Sequence, residues 1–431
     1  MSARGLSRRT SPRVAGAAFA LVALGGFALL AGCSKEKDID PPAELVDFKA
    51  ALKVDRLWSA KLGGDDPVLR LGLGASADGE RIFAAGGGGE VAAFTPANGR
   101  ALWRTRTKAA LSGGTGSGNG LVVVGSSDGE VIALEEDSGR ERWRVRVGGE
   151  VLAAPAVGEG VVVVRTVDGR LLGLDAATGK ENWREEQQVP RLTLRGSGKP
   201  SVSGNLAVCG FDNGRVLAVN VGDGQILWEA TVTPARGRTE LERLVDIDSA
   251  VKISGNDVFV VGYQGRAAML ASDSGQVWWS RELSSYRGLD FDDDAVYVST
   301  ADGEVVALRR RTGVELWRQD AFKRRGLSAP SAVGDYVAIA DFQGYVHWLD
   351  KATGTLVART RAGDRVSNAP LVVSDALYVL DDEGRLTAFR PRPAATSPAA
   401  SASPAIAPPT DTPAPADGPV TAPAPGGAPR D

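Results

Sequence analysis

One spacing governs the chain: a glycine is followed fourteen residues later by a tryptophan, at Gly89/Trp103, Gly129/Trp143, Gly169/Trp183, Gly214/Trp228, Gly265/Trp279 and Gly303/Trp317. A seventh unit keeps Gly344 and the turn glycine Gly354 but carries Ala358 at the tryptophan position, and an eighth opens at Gly384 and runs into the C-terminal segment. Successive first glycines stand 40, 40, 45, 51, 38, 41 and 40 residues apart. Units of this length, built of short β-branched runs such as residues 121–124, 161–164 and 258–261, read as four-stranded propeller blades. A lone four-stranded sheet leaves both faces wet, whereas radially stacked sheets bury each face on the next. The expected fold is all-β, an eight-bladed propeller, with seven blades as the alternative if the Gly384 unit is a degenerate cap.

The eighth unit lacks its last strand, and residues 54–62, which include Trp58, look like a last strand with no blade before it. Pairing the region of residue 58 with that of residue 385 closes the ring and removes an open sheet edge. The turn glycines, such as Gly139 and Gly179, supply the left-handed backbone that a tight hairpin needs. The tryptophans just beyond them are expected to be core, wedged between blades, provided each indole N–H finds an acceptor.

Composition narrows the chemistry. With 50 Lys and Arg against 53 Asp and Glu, the chain has no basic surplus for nucleic acid. One histidine and two cysteines leave little for hydrolytic or metal chemistry and exclude a disulfide framework. His347 lies in a strand-like run without a nucleophile motif or a second histidine, and Cys209 reads as a buried thiol. The acidic run 290–294 lacks the glycine and the glutamate of a calcium loop, since Ala295 and Ala301 stand at those places. The glycine-rich stretches 86–89 and 114–120 open no helix and are read as turns. No cofactor, metal or catalytic residue is expected, and the chain is not read as an enzyme.

The two ends are distinct from the repeat. Residues 1–32 carry four arginines, then an apolar stretch, then Leu30-Ala31-Gly32-Cys33, which resembles a bacterial lipobox. Residues 1–32 are thus a lipoprotein signal peptide, Cys33 is the lipidation site, and residues 33–50 are a lipidated linker; an uncleaved anchor helix is the alternative. Acyl methylenes at about 0.8 kcal/mol each then hold the protein on a membrane. Ser34 after the cysteine, where inner-membrane lipoproteins carry Asp, directs it to the outer membrane. Without the signal the net charge is −7, which favours protein partners over anionic lipid surfaces. After the propeller at 51–390, residues 391–431 hold 12 Pro and 12 Ala and cannot bury enough surface to order themselves, so they are expected to be a disordered tail. A spacer and a neutral extension both fit it.

The two longest spacings flank the fourth unit, and insertions on a rigid scaffold are where binding sits. They contain residues 189–198, with Leu192, Leu194 and Arg195, and residues 238–249, with Asp246 and Asp248. Leucines for affinity beside charges for register suit a protein interface, at which Arg195 and Asp246 would tolerate charge reversal without loss of stability. The alternation of Leu192 and Leu194 equally fits an inner strand with a buried leucine face.

Taken together, the lipobox, the tryptophan-bearing blades of pyrroloquinoline-quinone-like repeat type, the stretches 192–196 and 240–248, and the run 344–348 resemble the BamB lipoproteins of the outer-membrane β-barrel assembly machinery. The resemblance covers about residues 33–390 and is most specific in the two long loops. It implies a non-catalytic scaffold, acylated with palmitate among its chains, at the periplasmic face of the outer membrane. It also implies binding to the POTRA domains of BamA through Leu192, Leu194, Arg195, Asp246 and Asp248. Through BamA it would meet the other Bam subunits and unfolded barrel precursors. Quinoprotein dehydrogenases share the repeat but carry a vicinal cysteine pair over their cofactor, which this chain lacks. A cell-wall-binding propeller would show exposed aromatics outside the repeat register, where only Trp278 and Trp348 lie.

Overall fold

In the computed structural model, which describes residues 40–63, 72–194 and 198–392, the repeat becomes eight four-stranded antiparallel sheets. Seven blades are continuous in sequence. The eighth takes its three inner strands from Leu371–Val373, Ala376–Leu380 and Arg385–Arg392, and its outermost from Lys53–Lys61. Trp58 pairs with Ala388 and Lys61 with Arg385, so the ring closes by uniting both ends of the domain in one sheet. The signal segment, Cys33 and the Pro/Ala tail from residue 393 lie outside the described residues.

The core is divided into eight slabs, each between two neighbouring blades. One combines Val123, Val131 and Trp143 of the second blade with Val162, Val164 and Leu172 of the third, all buried. Every repeat tryptophan leans across such a slab. Its indole N–H donates to a backbone carbonyl in the last hairpin of the next blade: Trp58 to Pro96, Trp103 to Glu136, Trp143 to Ala176, Trp183 to Val221, Trp228 to Ser272, Trp279 to Arg310 and Trp317 to Lys351, at 2.7–2.9 Å. Three residues further along that hairpin stands the turn glycine. At Gly179 φ is +75°, and a Cβ would lie 2.7 Å from Cε3 of Trp143. The spacing read from the sequence is thus a contact between blades: the glycine provides both the left-handed turn and the room for its neighbour's indole.

The two tryptophans outside the repeat register are explained by pairing. In the seventh blade Trp348 faces Ala358, whereas in the other blades, apart from the fifth with Met269 opposite Trp279, the inner partner is small, as in Ala133 opposite Trp143 and Gly173 opposite Trp183. Large and small residues have exchanged strands, and Trp348 fills the slab completely buried. Trp278 is the extra residue of the bulge that follows each tryptophan pair, which turns it outward, 56% exposed. An aromatic row for carbohydrate does not result.

One expectation is overturned. Residues 114–118 do not form a turn but belong to the inner strand Leu111–Gly118 of the second blade. Inner strands converge at the propeller axis, where a Cβ on Gly116 would lie 1.9 Å from the Pro155 carbonyl oxygen and one on Gly114 2.5 Å from the Gly74 backbone. Glycine is needed there for close approach between blades. Residues 40–50, placed in a linker, lie along the seventh blade: Lys323 and Ala43 bond through their backbones at 2.9 Å, and the Arg359 guanidinium covers the Phe48 ring.

Candidate functional site

Both long insertions are connections from the outer strand of one blade to the inner strand of the next. Residues 187–200 join Glu181–Glu186 to Ser201–Ser203, and residues 232–251 join Ile226–Thr231 to Lys252–Ser254. In a four-stranded antiparallel meander such crossings all leave from the same end, so the two loops share one face of the propeller. Leu192 and Leu194 lie in no strand and are each 41% exposed, which rules out the buried inner-strand reading. Arg195 falls outside the described residues.

The second loop begins as a single tight turn. Thr239 Oγ1 accepts from the Glu242 N–H at 3.2 Å, and the Glu242 carboxylate accepts from the N–H groups of Arg238 and Thr239. This reciprocal pair is a capping box, and it raises Leu241 to 63% exposure. Leu241 was not among the expected site residues, although the Thr-x-x-Glu pattern at 239–242 announces it.

Further on, the loop is fastened to the blades. The Ile247 N–H donates to the Phe211 carbonyl at 3.1 Å and the Tyr263 N–H to the Asp246 carbonyl at 2.8 Å, while the Ile247 side chain enters the slab between the fourth and fifth blades. Alternation along an extended strip then sends Asp246 and Asp248 to the opposite side, where both are buried, at 0% and 8% exposure. They meet Asp212, from the tight turn of the fourth blade, and Arg165, from the end of the strand Val161–Arg165. One oxygen from each of the three carboxylates falls within 4.8 Å of the others. Arg165 forms an ion pair with Asp212, and its guanidinium carbon stands 5.2 Å from the Phe211 ring centre.

The expected interface aspartates therefore do not present themselves to solvent. Instead, Asp246 Oδ2 accepts the backbone N–H of Leu194 and ties the leucine loop to the propeller. Burial, reinforced by Asp212, pushes the Asp246 carboxyl up to about 6, against the pull of the Leu194 N–H and of Arg165. The same two causes hold Asp248 well above the ordinary carboxylate range. Charge reversal at Asp246 would set a cation beside buried Arg165, so the expectation of unchanged stability does not hold for this residue. The trio has the donors of a cation site, yet Arg165 already supplies the countercharge, and no metal is assigned.

Two other candidates are structural. His347 is buried with Nε2 3.0 Å from Asp341 Oδ2, and Arg325 also pairs with that carboxylate. Burial pushes the Cys209 thiol up to about 12, which makes it inert.

Comparison with known proteins decides the family. The model described as outer membrane protein assembly factor BamB matches residues 53–113, 87–319 and 301–396. The chain belongs to the BamB family. It is 51% identical over 360 residues to the outer membrane protein assembly factor BamB of Pseudomonas aeruginosa, covering 83% of this chain and 95% of that one. The crystal structure of BamB from Moraxella catarrhalis superposes with a TM-score of 0.72 at 28% identity, covering 78% of this chain and all of that one. A quinohemoprotein alcohol dehydrogenase from Pseudomonas putida shares the fold with a TM-score of 0.61 but only 15% identity, over 78% of this chain and 76% of that one. Membership in the BamB family places the chain among outer-membrane assembly factors of the Bam complex and not among the dehydrogenases.

Proposed function

We propose that this chain is a lipid-anchored, non-catalytic scaffold that docks on the POTRA domains of BamA through the leucine loop over its fourth blade. The observation that carries this reading is the pairing of two exposed leucines with a buried anchor. Leu192 and Leu194 face solvent while the Leu194 N–H is held by Asp246. A loop fixed before it binds loses less conformational entropy on association, and leucines rimmed by charge provide the apolar centre of a modest interface. In this reading Leu192, Leu194 and Arg195 touch the partner, whereas Asp246 and Asp248 position the loop. Lipidation at Cys33 holds the assembly at the periplasmic face of the outer membrane, and barrel precursors reach the chain through BamA.

The test is capture of the purified BamA POTRA segment by the wild type and by a Leu192→Ala, Leu194→Ala double variant. Loss of two apolar anchors should weaken affinity at least about tenfold, while thermal unfolding stays unchanged. Undiminished capture by a folded double variant would refute the assignment.

A further inference from the structure

The face that carries the two loops opens into a cavity of about 610 Å³ at the propeller axis, lined mostly by the segments that lead into the inner strands around the ring. This volume suits a small molecule rather than a helix or a folded segment. Its charged and aromatic lining comes from Lys199, Lys252, Asp248, Arg287, Tyr263 and Tyr286.

Lys252 is already paired, its ammonium 3.3 Å from Asp290. Among the described residues Lys199 has no ion-pair or hydrogen-bond partner, and its charged neighbour is Lys252, another cation. Arg287 donates through Nη1 to the Ser367 carbonyl at 3.1 Å, but its buried Nε has no acceptor. Behind it, the guanidinium carbon stands 5.1 Å from the Tyr286 ring centre, and Tyr286 packs edge-on against Tyr263 at 6.1 Å. Asp248 is the one carboxyl of this lining, and burial keeps it well above the ordinary range, which favours its neutral, donating form. An overall acidic chain thus lines this open cavity with a surplus of positive charge.

We propose that this axial cavity is a binding site for a small oxyanion, a compound bearing carboxylate or phosphate groups, held by Lys199 and Arg287 against the Tyr263–Tyr286 pair. An anion there gives the Lys199 ammonium a countercharge, and charge-assisted bonds of this kind are the strong ones. The site adjoins the leucine loop, since Leu194 and Asp248 are part of its lining, but its anion contacts come from other residues. Its occupancy does not depend on whether that loop binds a protein.

Citrate and inorganic phosphate, a carboxylate and a phosphate form of the same chemistry, serve as probes in calorimetric titrations of the full chain at low ionic strength. Saturable binding of either at millimolar concentration or below is expected, weakened at least about tenfold by Lys199→Met and retained by Lys199→Arg. Burial, with Lys252 nearby, pulls the Lys199 ammonium down to about 8, and a bound anion favours its charged form. Wild-type affinity should therefore fall as pH rises from about 7 to about 9, more steeply than in Lys199→Arg. Lys252, Arg287, Asp248, Tyr263 and Tyr286 are common to both proteins, so the difference between the profiles isolates Lys199. If Lys199→Met fails to fold, Lys199→Gln takes its place. Absence of saturable binding up to roughly 10 mM of both probes, equal binding by the methionine variant, or parallel pH profiles would each overturn the proposal.

Discussion

The contact between a turn glycine and the tryptophan of the preceding blade can be measured by a double-mutant cycle at Gly179 and Trp143. Trp143 is 8% exposed and donates to Ala176 at 2.9 Å, so Trp143→Ala removes a large core side chain and leaves a carbonyl unpaired. The expected cost is about 3 to 5 kcal/mol. Gly179→Ala acts in two ways. A non-glycine residue at φ +75° costs about 1 to 2 kcal/mol in backbone strain, and the new Cβ overlaps the indole at 2.7 Å, adding about 1 to 3 kcal/mol of overpacking. Gly160 separates these terms, because its φ is +74° and an added Cβ there meets nothing within 4 Å, so Gly160→Ala reads the backbone term alone. With the indole gone, the nearest remaining neighbour of the Gly179 Cβ is Val145 Cγ1 at 3.0 Å, so most of the overlap is relieved. The double variant should therefore be about 1 to 3 kcal/mol more stable than the sum of its single changes. Equilibrium denaturant unfolding gives the four free energies, provided the slope is the same throughout. Additivity within about 0.5 kcal/mol, or a Gly179→Ala cost equal to that of Gly160→Ala, would refute the claim that the repeat records an interblade contact.

Other consequences are as direct. Asp246 holds its proton more tightly when folded, at about 6 against 3.8 for the free group, so its contribution to stability falls as pH rises through that window. Between those values the wild type should lose stability with rising pH more steeply than Asp246→Asn, and parallel curves by thermal unfolding would contradict the assigned environment. Arg165→Met leaves Asp212 buried without its countercharge and should cost about 3 to 5 kcal/mol in denaturant unfolding. A loss below about 1 kcal/mol would mean that the pair is solvated. Trp348→Ala should be as damaging as Trp143→Ala, about 3 to 5 kcal/mol by the same measurement, because in the seventh blade it takes over the slab-filling role. A mild effect would show that Ala358 marks a genuinely weaker blade.

The ring and its closure were legible in the sequence because one contact, repeated blade after blade, leaves two residues at a constant offset. Reading by position fails where that contact is made differently. Trp348 looks out of register only until its partner Ala358 is known, and cross-strand pairs cannot be seen along a single strand. Glycines 114, 116 and 118 have the composition of a turn, but what they answer to is crowding at the axis, a property of the closed ring. At the site, the leucines were legible as an insertion, whereas the inward turn of Asp246 and Asp248 depends on Ile247 being captured by a slab formed from two other units. Arg165 was missed, although a signal existed. It stands four residues before Gly169, where the other units carry Ala85, Gly125, Gly210, Val261, Ser299, Ala340 and Leu380. A single charge in an otherwise small or apolar column marks a buried partner elsewhere, here Asp212.

The strip at residues 41–48 that lies on the seventh blade also fixes a leash. Beyond it, seven Cα-to-Cα steps separate Asp40 from Cys33, a reach of at most about 25 Å when fully stretched. If Cys33 carries acyl chains in the outer membrane, as proposed, the rim at blade seven can neither drift away from the bilayer nor dock far from it. The leucine loop is displaced by three blades, on a different sector of the wheel. On that anchoring, whatever it grips would stand within one ring's breadth of the lipid surface, which favours the membrane-proximal part of any elongated partner.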